Sequence, residues 1–119
     1  MDEPTKIKDK HGNIKHYLSG KLHRTNGPAI ERPDGTKEWW LNNKLHRDDG
    51  PAVEHANGDK FWYLYDKCHR TDGPAVERPD GSKEWWITDH YISMKNYRSF
   101  VNDYPDLVNQ FLAHQVLNG

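Results

Sequence analysis

The chain has 119 residues, of which 34% are hydrophobic, 12% aromatic and 29% charged, with a formal net charge of -1. That length holds one domain, and 17 basic against 18 acidic residues argue against a nucleic-acid or anionic-lipid partner, while no run approaches a membrane span. Leu, Ile, Val and Phe number only 21, yet 5 Trp and 6 Tyr are present, so the composition predicts a thin fold that buries rings without a thick aliphatic core.

Residues 1–10 carry too much charge for a secretory leader, and the expected setting is the cytoplasm. Cys68 is the single cysteine, which excludes an intrachain disulfide and a zinc ribbon. Residues 1–20 read as a degenerate half-unit, with Ile7, Gly12, Tyr17 and Gly20 in register with Ile30, Gly35, Trp40 and Asn43. Three full units of 23 residues follow at 21–43, 44–66 and 67–89. The first and third agree at 16 of 23 positions without a gap.

Turn chemistry within the unit is explicit. Pro33-Asp34-Gly35, Ala56-Asn57-Gly58 and Pro79-Asp80-Gly81 are hairpin loops whose glycine can take positive φ. A short β-like run, Ala29-Ile30-Glu31, precedes the first of them, and an aromatic run, Lys37-Glu38-Trp39-Trp40-Leu41, follows it. A second turn is expected at Asn42-Asn43, with counterparts at Ser19-Gly20 and Tyr65-Asp66. The predicted fold is mainly β: a single-layer antiparallel meander of about three and a half units, with seven or eight strands. Strand alternation places Lys37, Trp39 and Leu41 on one face, and Glu38, Trp40 and Asn42 on the other; Phe61, Tyr63 and Tyr65 match the second set.

Residues 90–119 change period. Met94, Tyr97, Phe100, Val101 and Tyr104 recur at helical spacing, as do Leu107, Val108, Phe111, Leu112 and Val116. Two short amphipathic helices are predicted, the first capped near Ser93 and the second starting at Pro105. An array needs its last unit covered, so these helices are expected to form a C-terminal cap over Trp85 and Ile87.

The string Trp40-Leu41-Asn42-Asn43-Lys44-Leu45-His46, preceded by a D-G turn, resembles the MORN repeat, and the resemblance spans residues 7–89. The His-Arg-x-Asp/Asn-Gly-Pro-Ala pattern is most similar to divergent MORN-like units in proteins of phages and giant viruses. Here it replaces the usual H-G-x-G, and the glycine between the two aromatic residues is missing. The resemblance implies an elongated sheet that serves interaction, dimerisation or scaffolding and brings no catalytic motif. A viral origin would make a host protein, such as a defence component to be inhibited, the implied partner.

Repetition also bears on chemistry. Equivalent residues of neighbouring units are separated by two strands, about 10 Å. His23, His46 and His69 therefore stand too far apart for metal ligands at about 2.1 Å, and bonding to turn backbone is the expected role. Glu31, Glu54 and Glu77 exceed the about 5–9.5 Å of a hydrolytic carboxylate pair. Cys68 occupies the slot of Leu22 and Leu45, which marks it as a packing residue. No catalytic residue, metal site or cofactor is expected. Arg24, Arg47 and Arg70 read as partners of Asp49, Asp72, Glu31, Glu54 or Glu77.

The leading functional reading is a non-enzymatic protein-binding module. Its contact residues would be Trp40, Tyr63, Tyr65 and Trp86, with Arg47 and Arg70 at the edge. Two rivals remain at this level: a binder that sequesters an anionic nucleotide between rings and Arg, and a self-assembling protein that pairs as a homodimer through sheet edges.

Overall fold

Each turn triplet closes a hairpin through the same bonds. Around Pro33-Asp34-Gly35 the Arg32 N–H donates to the Thr36 carbonyl at 2.9 Å, and the Gly35 N–H donates to the Arg32 carbonyl at 3.0 Å. Asp34 Oδ1 accepts from the Thr36 N–H at 2.8 Å, which explains Asp at the loop centre. Gly58 shows why glycine follows. Its φ is +99°, and a Cβ there would come within 2.8 Å of Pro79 in the next unit's loop. Pro79 thus packs on Gly58 as Pro33 does on Gly12, while between the loops at Gly35 and Gly58 the Ala56 N–H donates to the buried Thr36 hydroxyl at 3.1 Å.

The computed structural model describes residues 3–118. Strands β1 (Thr5–Lys8), β2 (Ile14–Leu18) and β3 (Lys21–Leu22) come from the first half-unit and the start of the next. The three units then supply β4 (Ile30–Glu31), β5 (Lys37–Glu38), β6 (Trp40–Leu41), β7 (Lys44–Leu45), β8 (Val53–Glu54), β9 (Lys60–Phe61), β10 (Tyr63–Leu64) and β11 (Lys67–Cys68). They end with β12 (Val76–Glu77), β13 (Lys83–Glu84), β14 (Trp86–Ile87) and β15 (His90–Tyr91). One antiparallel sheet runs β1-β2-β4-β5-β8-β9-β12-β13, with β3 also on β2, and β6-β7, β10-β11 and β14-β15 form separate ribbons. The predicted meander is therefore present, with its aromatic run divided.

That division falls at Trp39 and Trp62. The Trp39 N–H donates to the Ala52 carbonyl of the next unit at 2.7 Å, whereas its carbonyl accepts from His46 N–H at 3.0 Å. Trp62 repeats this with Ala75 at 2.8 Å and His69 at 3.1 Å. The strand changes partner at the tryptophan, from main sheet to ribbon. Strand alternation also ends before the second turn. Asn42, Tyr65 and Thr88 have φ of 48°, 46° and 45°, each followed by a second left-handed residue, which is a type I′ turn. Tyr65, expected on a strand face beside Tyr63, is instead the first turn residue of its ribbon.

Ala29, Ala52 and Ala75 are wholly buried, and Ile30, Val53 and Val76 lie beside them. The apolar interior is concentrated toward the C-terminal end. One cluster joins Cys68, Ala75 and Val76, with Phe61, Trp62, Tyr63 and Trp86 packed on it. A second joins Trp85, Ile87, Ile92, Leu107 and Phe111, ringed by Tyr97, Phe100, Tyr104 and Leu112.

The helical cap is present but holds one α-helix. Helix α1 (Pro105–Asn118) begins at the expected proline, has Asp106 in its first turn, and buries Leu107, Val108 and Phe111. The first predicted helix reduces to a 3-10 turn, Tyr97–Ser99. Ser93 and Asn96 close a capping box, the Ser93 N–H donating to Asn96 Oδ1 at 2.7 Å and the Lys95 N–H to Ser93 Oγ at 3.3 Å. The Ser99 hydroxyl then donates to the Asn96 carbonyl at 2.7 Å, and three-residue bonding replaces the α pattern. Met94, Val101 and Val116, expected on buried helical faces, are exposed. No helix of the described residues is long and apolar enough to cross a membrane.

Candidate functional site

Ribbons of successive units are locked together by the residues that make their turns. The Asp66 N–H donates to the Leu45 carbonyl at 2.8 Å, and Asp66 Oδ1 accepts from the Leu45 N–H at 2.7 Å. Asn43 does the same on Leu22, and Asp89 on Cys68. A short polar side chain that tolerates left-handed backbone and accepts a bond is needed at each site, which selects Asn or Asp.

Histidine completes the joint. Nδ1 of His23, His46 and His69 accepts the N–H of Asn42, Tyr65 and Thr88, at 3.1, 3.1 and 2.9 Å. The expected role in bonding turn backbone is thus observed. Because Nδ1 of His46 accepts, its neutral ring carries the proton on Nε2, which donates to Asp48 Oδ1 at 2.9 Å. The His46 ring also lies 4.0 Å from that of Tyr65, centroid to centroid.

Burial holds the His69 imidazole below its ordinary pKa. It does the same to His16, and the Arg24 cation beside it adds to the effect. A depressed imidazole value means that folding favours the neutral ring. The resulting stability is complete above the unfolded value near pH 6.5 and declines as pH falls through the lower folded values. The melting temperature should therefore be level above about pH 7 and fall as the pH drops below about 6.5. His69→Asn, which keeps an acceptor without titrating, should flatten that decline; an unchanged profile in this variant would exclude His69 as its source.

Arg47 and Arg70 are bonded within their own units and stacked on the tryptophan of the unit before. Arg47 lies over the Trp39 ring, its Cζ 3.9 Å from the centroid, and Arg70 lies over Trp62 at 4.1 Å. Arg47 Nε donates to Asp49 Oδ1 at 3.1 Å, and Nη1 donates to the Pro51 carbonyl at 3.1 Å and to Glu54 Oε2 at 2.9 Å. Arg70 bonds Asp72 at 2.8 Å and the Pro74 carbonyl at 3.0 Å, with Glu77 3.7 Å away. Gly50 and Gly73 admit the guanidinium, since a Cβ on either would stand 2.8 Å from Cζ. The stacked rings add about 0.5–1 kcal/mol per pair, while the exposed ion pairs add less.

The ring residues separate into different environments. Trp40 and Trp86 donate their indole N–H to Glu38 and Glu84 at 3.0 and 2.9 Å, and Arg32 and Arg78 bind the same two carboxylates. In the middle unit Phe61 and His55 replace that ion pair and meet edge to face at 5.5 Å. Tyr63 packs on the Cys68 cluster, and burial pushes its phenol pKa up. Tyr63 is therefore partly a core residue, and its removal would disturb packing as well as any contact. Tyr65, 58% exposed, is the open ring of the set.

Burial, with Asp89 and Glu84 adding, pushes the Cys68 thiol up to about 12, so it remains protonated and packs as a small apolar group. No three His, Cys, Asp or Glu side chains among the described residues gather into a metal-binding set. Trp39 and Trp62, on which the guanidinium groups stack, were not among the site residues expected from the sequence. The signal was an aromatic residue eight positions before each arginine in two successive units. Comparison with protein-family models, curated proteins and solved structures gives no match to the chain.

Proposed function

We propose that the chain is a non-enzymatic, MORN-like protein-binding module that acts in the cytoplasm without a cofactor. The observation that carries this reading is how the repeated groups are used. Arg47 and Arg70 are bound by carboxylates of their own units, while Trp40, Tyr63, Trp86 and Tyr65 leave ring surface open along a body 46 Å long. Such a surface suits a broad aromatic contact with a protein, with Arg47 and Arg70 at its edge. An anionic nucleotide would have to displace Asp49 or Asp72 from the guanidinium groups, so sequestration of a nucleotide is less well supported. Antiparallel homodimer formation through β1, centred on Ile7, would set Lys6 of each copy against Lys8 of the other, a like-charge arrangement that blunts an edge.

The viral flavour of the repeat makes a host protein, such as a defence component that the module inhibits, the proposed target. Tyr65→Asn is the cleanest probe, because Asn42 already fills the same turn position at positive φ. Affinity capture from the cell in which the protein acts should lose its specific partner with Tyr65→Asn and with Trp40→Ala. The Tyr65→Asn melt should stay within a degree or two of the parent, as for surface changes of about 0.5 kcal/mol. Unaltered capture by both variants would remove the ring face from the proposal.

A further inference from the structure

Trp39 and Trp62 head two grooves of the same construction, one repeat apart. The first, of about 510 Å³, is lined by Trp39, Leu41, Arg24, Arg47 and Asp49; the second, of about 480 Å³, by Trp62, Leu64, Arg47, Arg70 and Asp72. The segment from Arg47 to Asp49 forms the ridge between them and borders both. None of the rings proposed above for protein contact lines either groove.

Indole chemistry distinguishes these tryptophans from the others. Trp40 and Trp86 donate their N–H to glutamate. Among the described residues no protein group accepts from the Trp39 or Trp62 indole, and neither N–H is sealed from solvent. Trp85, the third member of the series, has its indole N–H buried, and its ring lies 5.7 Å from Phe111 and 5.2 Å from His114 of α1. Ser93 stands at the position that Arg47 and Arg70 hold in the earlier units. The chain's own helix thus covers the third tryptophan and leaves the first two uncovered.

We propose that these two grooves dock an extended, proline-rich peptide segment that carries arginine or lysine. Two strands advance about 9.6 Å, and one turn of polyproline II advances about 9.3 Å. Residues i and i+3 of such a peptide therefore meet equivalent groups in successive grooves. A β-strand ligand, with a same-face repeat of about 6.7 Å, falls out of step. A polyproline helix has no internal hydrogen bonds, and proline has no N–H, so the peptide presents carbonyl acceptors to the two indole donors.

Charge selects the other residues of the ligand. Asp48, Asp49 and Asp72 hold their carboxylates at the groove rim, 85%, 87% and 83% exposed. Arg47 and Arg70 are already paired, so the second groove sets two bound guanidinium groups against three aspartates. A cationic side chain between the prolines is attracted there, and an acidic one is repelled.

The test is a titration of the whole chain with a synthetic (Arg-Pro-Pro) repeat peptide, followed by tryptophan fluorescence and calorimetry. With a peptide about 12 residues long, or four polyproline turns, saturable binding is expected at about 10–100 μM. An (Arg-Gly-Gly) peptide of equal charge should bind about fivefold more weakly, and a (Glu-Pro-Pro) peptide should not bind. Trp62→Phe and Trp39→Phe, which keep a ring and remove the N–H, should each weaken binding about fivefold. Asp49→Asn with Asp72→Asn should weaken it further and reduce its salt dependence. Trp40→Phe, on the other face, should leave it unchanged, and melts of every variant establish that each is folded. Absence of saturation at about 1 mM, equal binding of the (Arg-Gly-Gly) peptide, or loss in Trp40→Phe but not Trp62→Phe would overturn the proposal. Tyr65 lines neither groove, so Tyr65→Asn, once shown to bind the peptide as the parent does, tests the ring face separately through its effect on partner capture.

Discussion

Phe111→Ala is expected to lower stability by about 3–5 kcal/mol, the largest effect of any single truncation proposed for this chain. Phe111 is 2% exposed and meets Trp85 edge to face at 5.7 Å, with Tyr97 at 6.3 Å on its other contact. Its removal empties the middle of the cluster that joins the helix to Trp85, Ile87 and Ile92. A domain of this size has about 5–15 kcal/mol in total, so a large share would be lost. In a repeat array each unit depends on its neighbours, so damage at one end spreads inward from that end. Urea denaturation should show the fall in midpoint. Native-state hydrogen exchange should show Ile87 and Ile92 losing protection before Ile30 and Val53. A change below about 1 kcal/mol would mean that α1 does not stabilise the array it covers.

The repeat was legible because its constraints are local. A loop that needs positive φ at Gly35 and a side-chain oxygen acceptor at Asp34 states its own geometry, and the copies at Asn57 and Asp80 state it twice more. Partner exchange at Trp39 was not legible, because it depends on which unit supplies each acceptor. Ala52 lies in the next unit and His46 beyond the second turn, and alternation along one strand contains neither fact. The helical segment failed differently. Residues 93–104 have helical spacing of apolar residues, yet the Ser93, Asn96 and Ser99 side chains bind nearby backbone and hold it in short turns. Periodicity records where apolar groups recur, and local side-chain bonds can override it.

The candidate site divides along the same line. The arginine partners could be anticipated, since Asp49 and Asp72 follow Arg47 and Arg70 at two residues and a guanidinium reaches that far. Stacking on Trp39 and Trp62 left only the eight-residue spacing as a sign, because it joins residues across the type I′ turn. Tyr63 and Tyr65 are two apart and share a face in a regular strand. A left-handed turn residue breaks that identity, so one ring packs on the interior and the other projects.

Asp66→Ala isolates the joint between ribbons. Alanine at a φ of 70° costs about 1–2 kcal/mol, and loss of Oδ1 removes the acceptor of the Leu45 N–H at 2.7 Å. That bond lies at an exposed position where water can replace it, so its loss adds only about 0.5–1.5 kcal/mol. The sum is about 1.5–3.5 kcal/mol. Asp66→Gly should recover most of the backbone part and none of the acceptor, and Asp66→Asn should be nearly neutral because Asn43 makes the same pair of bonds on Leu22. The expected order in urea denaturation is Asn close to the parent, then Gly, then Ala. An Ala variant as stable as Asn would mean that neither the left-handed turn nor the side-chain bond holds successive units together, and the main-sheet pairing of β5 with β8 and of β9 with β12 would then carry that role.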